Sequence, residues 1–299
     1  MKGVDGGMRQ QLMELIEKRI QQCVTKDREA IVDEKLERKR NSMYKRKAEI
    51  VHVKAKGKIE DMEKKADETE ELVYSVHLQY FIKQGELFLI EEEVENRKAV
   101  VYKGVIIEDT EVLPAYPEDY REVPLAEEWR ETKERESRYK YDRLKAVQYA
   151  EKWWNSYNPK YHQFEVDCTN YISQCVHEGG APMRGYPNRN KGWWMQNNNW
   201  SYSWAVANAF PRYLETSTAG LRAKRVDSAM ELKLGDVICY DFEGDGKYNH
   251  TTIVTGKDAN GEPLVNAHTY NSRMRYWKYE DSTAYTPNIK YKFFTIIDG

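Results

Sequence analysis

Cys168 stands directly after Asp167, a favourable helix N-cap residue, at the head of a segment in which Cys168, Tyr171, Ile172, Cys175 and Val176 recur at helical spacing. Gly179-Gly180 supplies its C-terminal stop. A thiol in the first turn of a helix meets unpaired N–H groups and the positive end of the helix dipole, a setting that favours thiolate and so nucleophilic attack at neutral pH. The neighbouring Asp167 carboxylate opposes this in part. Cys175, two turns further on the same face and about 10 Å away at 1.5 Å per residue, illustrates the commoner use of cysteine as a small buried hydrophobe.

Such a nucleophile needs a base. Beyond this helix the chain has two histidines, His250 and His268, each at the edge of a strand-like run. His250 precedes Thr251-Thr252-Ile253-Val254, whereas Asn266 and His268, two residues apart, share one face of the next strand. A base and an orienting partner then face one cleft, although a strand-end histidine also serves widely as a hydrogen-bonded structural group. Asn170 reads equally as a helix-start capping residue and as a polar group of the site. The stretch holding Trp193, Trp194, Trp200, Tyr202 and Trp204 reads either as an aromatic wall for a sugar or peptide, with Trp193 and Trp204 as substrate-binding residues, or as a loop pinned by buried indoles.

Metal chemistry is not indicated. The four cysteines, Cys23, Cys168, Cys175 and Cys239, form no C-x-x-C pair and are too scattered for a disulfide scaffold. Asp241 to Gly246 mimics the start of a calcium loop, but Thr252 stands where that loop needs a bidentate Glu, so a turn before the His250 strand is expected. No cofactor is expected.

The elements that must position these residues occupy a chain of 299 residues, long enough for two domains. No run approaches the roughly 18 apolar residues of a membrane-spanning helix, and 22 Tyr, 8 Trp and 7 Phe supply core that a disordered chain lacks. A net charge of −2 argues against a nucleic-acid partner bound through phosphate neutralisation. Through Arg138 there are 27 basic and 32 acidic residues, and beyond it 20 and 17, so the second part carries a slight positive excess. No signal-peptide h-region is visible, which leaves a cytoplasmic or a spore- or envelope-associated location as the expectation.

The first part reads as helices over Gln10–Cys23 and within Arg28–Arg46, then alternating strands around Val51–Ala55 and Tyr74–Ile82. Glu86–Val94 and Ala99–Ile107 follow as two further strands divided by a turn at Glu95–Lys98, an antiparallel meander packed on helices and resembling cystatin. Pro114, Pro117 and Pro124, with the charged run Glu127–Arg138 read as a short helix, mark residues 109–138 as a linker. The expected organisation is α+β throughout: an accessory domain over 1–108 and a second domain over 139–299. In that second domain Tyr141–Trp154 and the Cys168 segment are helices. Strands are expected at 236–242, 250–255, 264–269, 274–279 and 291–297.

The run Asp167-Cys168-Thr169-Asn170-Tyr171-Ile172-Ser173-Gln174-Cys175, closed by Glu178-Gly179-Gly180-Ala181-Pro182, resembles the putative amidase domain family of Gram-positive bacteria, whose motif reads DCTNFVSQ followed by GG. It is similar, more distantly, to papain-like peptidoglycan amidases and endopeptidases and to CHAP amidases. Tyr149-Ala150, Asn158 to Tyr161, the aromatic stretch around Trp204, Leu234-Gly235-Asp236-Val237, His250 to Val254 and Ala267-His268-Thr269 match in order, across Tyr141 to Ile297. Tyr171 stands where the family often has Phe, and Asn249 where it has an acidic residue.

The resemblance implies a papain-like α+β domain. Cys168 would attack an amide carbonyl, His250 would act as general base and then acid, and a third polar group, His268 in preference to Asn266, would orient the imidazole. The Cys168 N–H would help hold the oxyanion. The expected substrate is a peptidoglycan peptide or a similar amide. Two other readings stand beside hydrolysis: a cell-envelope or spore-associated binding module that keeps the fold without turnover, and acyl transfer on the same thiol. Oligomeric state is not legible in the sequence.

Overall fold

A computed structural model describes residues 6–25, 33–65, 68–112 and 139–299. The expected charged helix at Glu127–Arg138 and most of the expected linker lie outside the described residues. The chain divides into two compact units, Met1–Leu113 and Pro114–Gly299.

In the first unit, helices α1 (Gly6–Val24) and α2 (Glu34–Lys45) pack on an antiparallel meander of β1 (Ala48–Lys64), β2 (Thr69–Gln84), β3 (Leu87–Tyr102) and β4 (Val105–Glu111). On β2 the period of two is complete: Leu72, Tyr74, Val76, Leu78, Tyr80 and Ile82 are all buried, with Met8, Leu12, Leu36 and Met43 of the helices in the same core. Two expectations are corrected. β4 continues through Glu111, so the unit extends beyond residue 108. Glu95–Lys98 is the middle of β3 rather than a turn, and the chain reverses instead at Gly85-Glu86 and Lys103-Gly104.

The charges of that segment explain why it stays in the strand. Glu95 is buried and receives Arg19 of α1 at 2.7 Å, Lys35 of α2 at 2.7 Å and Arg97 at 2.9 Å, while Arg97 also pairs with Asp109 of β4. Glu91, on the same strand, meets Lys39 at 2.5 Å. These polar residues therefore point inward like apolar ones, the carboxylates neutralised by helix cations and Arg97 by the Asp109 carboxylate of β4. The surrounding cations hold the Glu95 carboxyl well below its ordinary range against the opposing effect of burial.

The second unit carries helix α3 (Arg143–Trp153) beside α4 (Cys168–Glu178), both packed on a sheet. Its strands are β7 (Arg222–Val226), β8 (Val237–Asp241), β9 (His250–Lys257), β10 (Pro263–Ala267), β11 (Ser272–Tyr276) and β12 (Lys290–Ile297). They lie antiparallel in the order β11-β10-β9-β8-β12-β7. A hairpin of β5 (Met195–Gln196) and β6 (Asn199–Trp200) and the short helices α5 (Tyr202–Ala205) and α6 (Phe210–Thr216) complete it. Asn197 and Asn198, with φ of 53° and 55°, form the two-residue turn of the hairpin, a conformation Asn tolerates better than other side chains.

Cys168 through Val176 are all buried, so α4 is the central helix of the unit. Its outer end closes tightly: a Cβ on Gly179 would lie 2.3 Å from the Tyr141 ring, and Gly180 has φ of 98°.

Breaking the charge network tests its role in the first unit. Glu95→Ala leaves Arg19 and Lys35 short of a buried carboxylate and is expected to destabilise that unit by about 3–5 kcal/mol. The urea midpoint of its unfolding transition reads this. A loss below about 1 kcal/mol would make the network equivalent to solvated surface pairs.

Candidate active site

Asp167 precedes α4 as the sequence predicts, but its carboxylate does not cap the helix. Oδ1 accepts from Phe164 N at 3.0 Å and Asn170 Nδ2 at 2.8 Å, and Oδ2 lies 2.8 Å from His268 Nδ1. Three other donors have claimed the oxygens, so the cap comes from elsewhere. Thr269, just past β10, accepts at Oγ1 from both Asp167 N at 3.0 Å and Cys168 N at 3.1 Å. The N–H expected to hold an oxyanion is thus bonded to Thr269 in this state.

Cys168 is buried, with Sγ 3.8 Å from Thr169 Oγ1, which in turn lies 3.2 Å from Thr251 Oγ1. Burial pushes its thiol up, while hydrogen bonding to the Thr169 side chain, to the Thr251 and Thr169 backbone and to the Thr269 side chain pulls the other way. The residue lines a cavity of about 280 Å³ together with Val166, Val206, Phe242, Tyr248 and Asn249, among others, and Glu243, Asp245 and Lys247 stand exposed around it.

His250 opens β9 and is fully buried. Its ring lies among Tyr279 at 5.2 Å, Tyr240 at 5.6 Å and Phe242 at 6.0 Å, and neither ring nitrogen has a hydrogen-bond partner among the described residues. Desolvation, with a smaller contribution from the Arg275 charge, lowers its pKa from 6.5 to about 3. It is a neutral imidazole with a free lone pair. Phe242 links the two groups, packing on His250 and lining the Cys168 cavity, and Thr251, the residue after His250, reaches the surroundings of the sulfur.

Asn266 lies on β10, but the strand ends at Ala267, so His268 falls in the turn beyond it, and both side chains meet α3. Asn266 Nδ2 donates to Glu151 Oε1 at 2.9 Å, and its Oδ1 accepts from Thr255 Oγ1 and Met274 N, each at 2.8 Å. His268 places Nε2 at 2.7 Å from Trp153 O and stacks on Tyr171 with ring centroids 3.9 Å apart. Both of its ring nitrogens are committed to oxygens, and neither residue bonds His250. Register explains this, because β10 pairs Asn266 with Ile253, three residues beyond His250.

The other named residues buttress α4. Trp204 Nε1 donates to Asn170 Oδ1 at 2.8 Å, and Trp193 Nε1 to Ser173 Oγ at 2.9 Å. Both indoles are fully buried and pack on each other at 4.6 Å, which is the pinned-loop arrangement. The Asp241 segment is a turn whose carboxylate accepts from the backbone N–H groups of Gly244, Asp245 and Gly246. Sequence reasoning missed Thr269. Its signal was adjacency to His268, and its backbone φ of 78° is unusual for a β-branched residue and costs about 1–3 kcal/mol.

A buried cysteine opens α4, a buried histidine opens β9, which packs on α4, and the family match gives the class as amidase-like. The family described as "Putative amidase domain" matches residues 140–294, and the chain belongs to that family. The chain is 53% identical over 268 residues to "Uncharacterized protein YhbB" of Bacillus subtilis (strain 168), covering 88% of this chain and 86% of that protein. It is 33% identical over 140 residues to "Uncharacterized protein YjcM" of the same organism, covering 44% and 31%. No solved structure matches. The first likeness is longer than the second unit, so it extends into the helix-and-meander unit.

The burial of His250 has a consequence for stability. A folded-state pKa of about 3 against 6.5 means the unfolded chain binds this proton more tightly, so stability present above pH 6.5 is lost as pH falls towards 3. His250→Phe is expected to flatten this acid limb by up to one proton's slope, about 1.4 kcal/mol per pH unit, in urea midpoints taken across pH. An unchanged slope would mean that the ring is not held neutral.

Proposed function

We propose that the second unit is a cysteine-dependent amide hydrolase with Cys168 as nucleophile and His250 as general base and acid. The observation that carries this reading is the pairing of a cavity-lining Cys168 at the start of α4 with a neutral His250 whose ring nitrogens have no other partner among the described residues. Both groups rest uncharged, so the thiol is activated as it reacts. His250 turns onto Sγ and takes its proton as sulfur bonds to the amide carbonyl carbon. The proton then passes to the departing amine, leaving a thioester. Water, deprotonated by His250, cleaves that thioester to the carboxylic acid and returns the thiol.

Peptide amides of peptidoglycan are the proposed substrates. Support comes from membership of the amidase family and from the slight positive excess of this part of the chain, which suits an anionic peptide-sugar polymer. His268 and Asn266 act through α3 and α4 rather than on the imidazole, and Asn170, Trp193 and Trp204 support the nucleophile's helix.

Incubating muropeptides with the full chain and analysing fragments by mass spectrometry tests the reading. Wild type is expected to release new amine and acid termini, Cys168→Ala none, and His250→Ala at a rate lower by about 10²–10⁴. Cleavage that survives Cys168→Ala would overturn the nucleophile assignment. Retention of both proteins on the polymer without cleavage, over a range of pH and reductant, would favour the binding module.

A further inference from the structure

Resting on that reading, we propose that Asn208 is the oxyanion donor of the site, its Nδ2 binding the carbonyl oxygen of the amide that Cys168 attacks. The Cys168 N–H is bonded to Thr269 Oγ1 at 3.1 Å, so the oxygen that gains charge as sulfur adds needs a donor from elsewhere. The walls of the Cys168 cavity offer one. Among the buried side chains that line it, Cys168 and Asn208 are the two that carry a polar atom, and Val206 and Phe242 are apolar.

Asn208 lies in the turn between α5 and α6 and is 7% exposed. Its Oδ1 accepts from Tyr248 N at 3.1 Å, two residues before His250. That bond settles which end of the amide is which, because the oxygen must face the N–H and the planar group then turns Nδ2 the other way. Nδ2 has no hydrogen-bond partner among the described residues. Unlike the ring nitrogens of His250, it is not sealed off, so it opens on the cavity that the residue lines. A half-satisfied amide among buried side chains calls for an explanation, and a carbonyl oxygen entering the cavity supplies one. Asn249, which also lines the cavity, is committed at both ends: Nδ2 donates to Glu243, and Oδ1 accepts from Phe242 N at 3.4 Å.

The turn is fastened to the nucleophile's helix. Val206 O accepts from Ala209 N at 3.0 Å and from Phe210 N at 3.2 Å. Ser173 Oγ of α4 donates to Trp204 O at 2.8 Å, and Trp204 Nε1 donates to Asn170 Oδ1 at 2.8 Å. A donor held in this way needs no rearrangement as charge develops on the oxygen.

The test separates carbonyl chemistry from thiol chemistry. The full chain is treated with p-nitrophenyl acetate, which sulfur attacks through a tetrahedral oxyanion, forming a thioester and expelling p-nitrophenolate. In parallel it is treated with methyl methanethiosulfonate, which passes a methylthio group to sulfur, expels methanesulfinate and forms no oxyanion at carbon. Cys168→Ala supplies the background for both. The ratio of the two Cys168-dependent rates cancels changes in thiolate fraction. Asn208→Asp keeps the acceptor for Tyr248 N and loses the donor, whereas Asn208→Ala loses both. Each variant, its folding checked by thermal melting, is expected to lower the ratio of ester to thiosulfonate rate by about 10²–10³. A folded Asn208→Asp or Asn208→Ala with the wild-type ratio overturns the proposal. So does wild type that is modified at Cys168 by the thiosulfonate yet releases p-nitrophenolate no faster than Cys168→Ala. Neither reagent is a muropeptide, so these results stand apart from any failure to cleave peptidoglycan.

Discussion

The buried hydrogen-bonded pair between Asp167 and His268 joins the head of α4 to the end of β10, and the arrangement of the site depends on it. Asp167 and Cys168 are adjacent, so whatever holds the carboxylate also holds the thiol. His268 is in turn seated on α3 through the Trp153 carbonyl and on α4 through the Tyr171 ring. One imidazole therefore ties two helices to the sheet at the position of Cys168. An exposed ion pair would contribute little, but for these buried side chains each bond also satisfies a group that would otherwise be stranded. Asn170 and the indole of Trp204 extend the same network along the helix.

Around this anchor the electrostatics are set by burial rather than by charge. Burial raises the Cys168 thiol and lowers the His250 imidazole, so the two rest as neutral groups instead of an ion pair. Threonine hydrogen bonds temper the first effect, whereas aromatic rings with no hydrogen-bonding group turned to His250 leave the second unopposed. In the proposed reaction, charge appears only as sulfur attacks. The low-dielectric surroundings then make any donor aimed at the sulfur or the oxyanion count for more than it would in water.

The first unit solves a different problem with related means. Its meander buries Glu91, Glu95 and Arg97 where apolar residues would be expected; cations from both helices neutralise the two carboxylates, and Asp109 of β4 pairs with Arg97. Such networks add less stability than a well-packed apolar core. They are demanding about geometry, however, because each charge must find its partner for the strand to stay inside. The helix positions of Arg19, Lys35 and Lys39 are fixed in register with β3 as a result.

Local periodicity and capping chemistry were legible in the sequence because they act over a few residues. The spacing of Cys168, Tyr171, Ile172, Cys175 and Val176 determined a buried helix with the thiol at its head, Gly179-Gly180 determined its stop, and the alternation of β2, β8, β9 and β10 determined their strands. Period two put Asn266 and His268 on one strand face, whereas β10 ends at Ala267 and His268 follows in a turn. What that face meets is a matter of register and helix docking, which no local pattern encodes, and there α3 stands rather than His250. The same limit made Glu95–Lys98 look like a turn, since a run of charges reads as solvated until the helices that neutralise it are in place. Thr269 was hidden for a stronger reason. It caps Asp167 N and Cys168 N from a positive φ that nothing in its residue type favours.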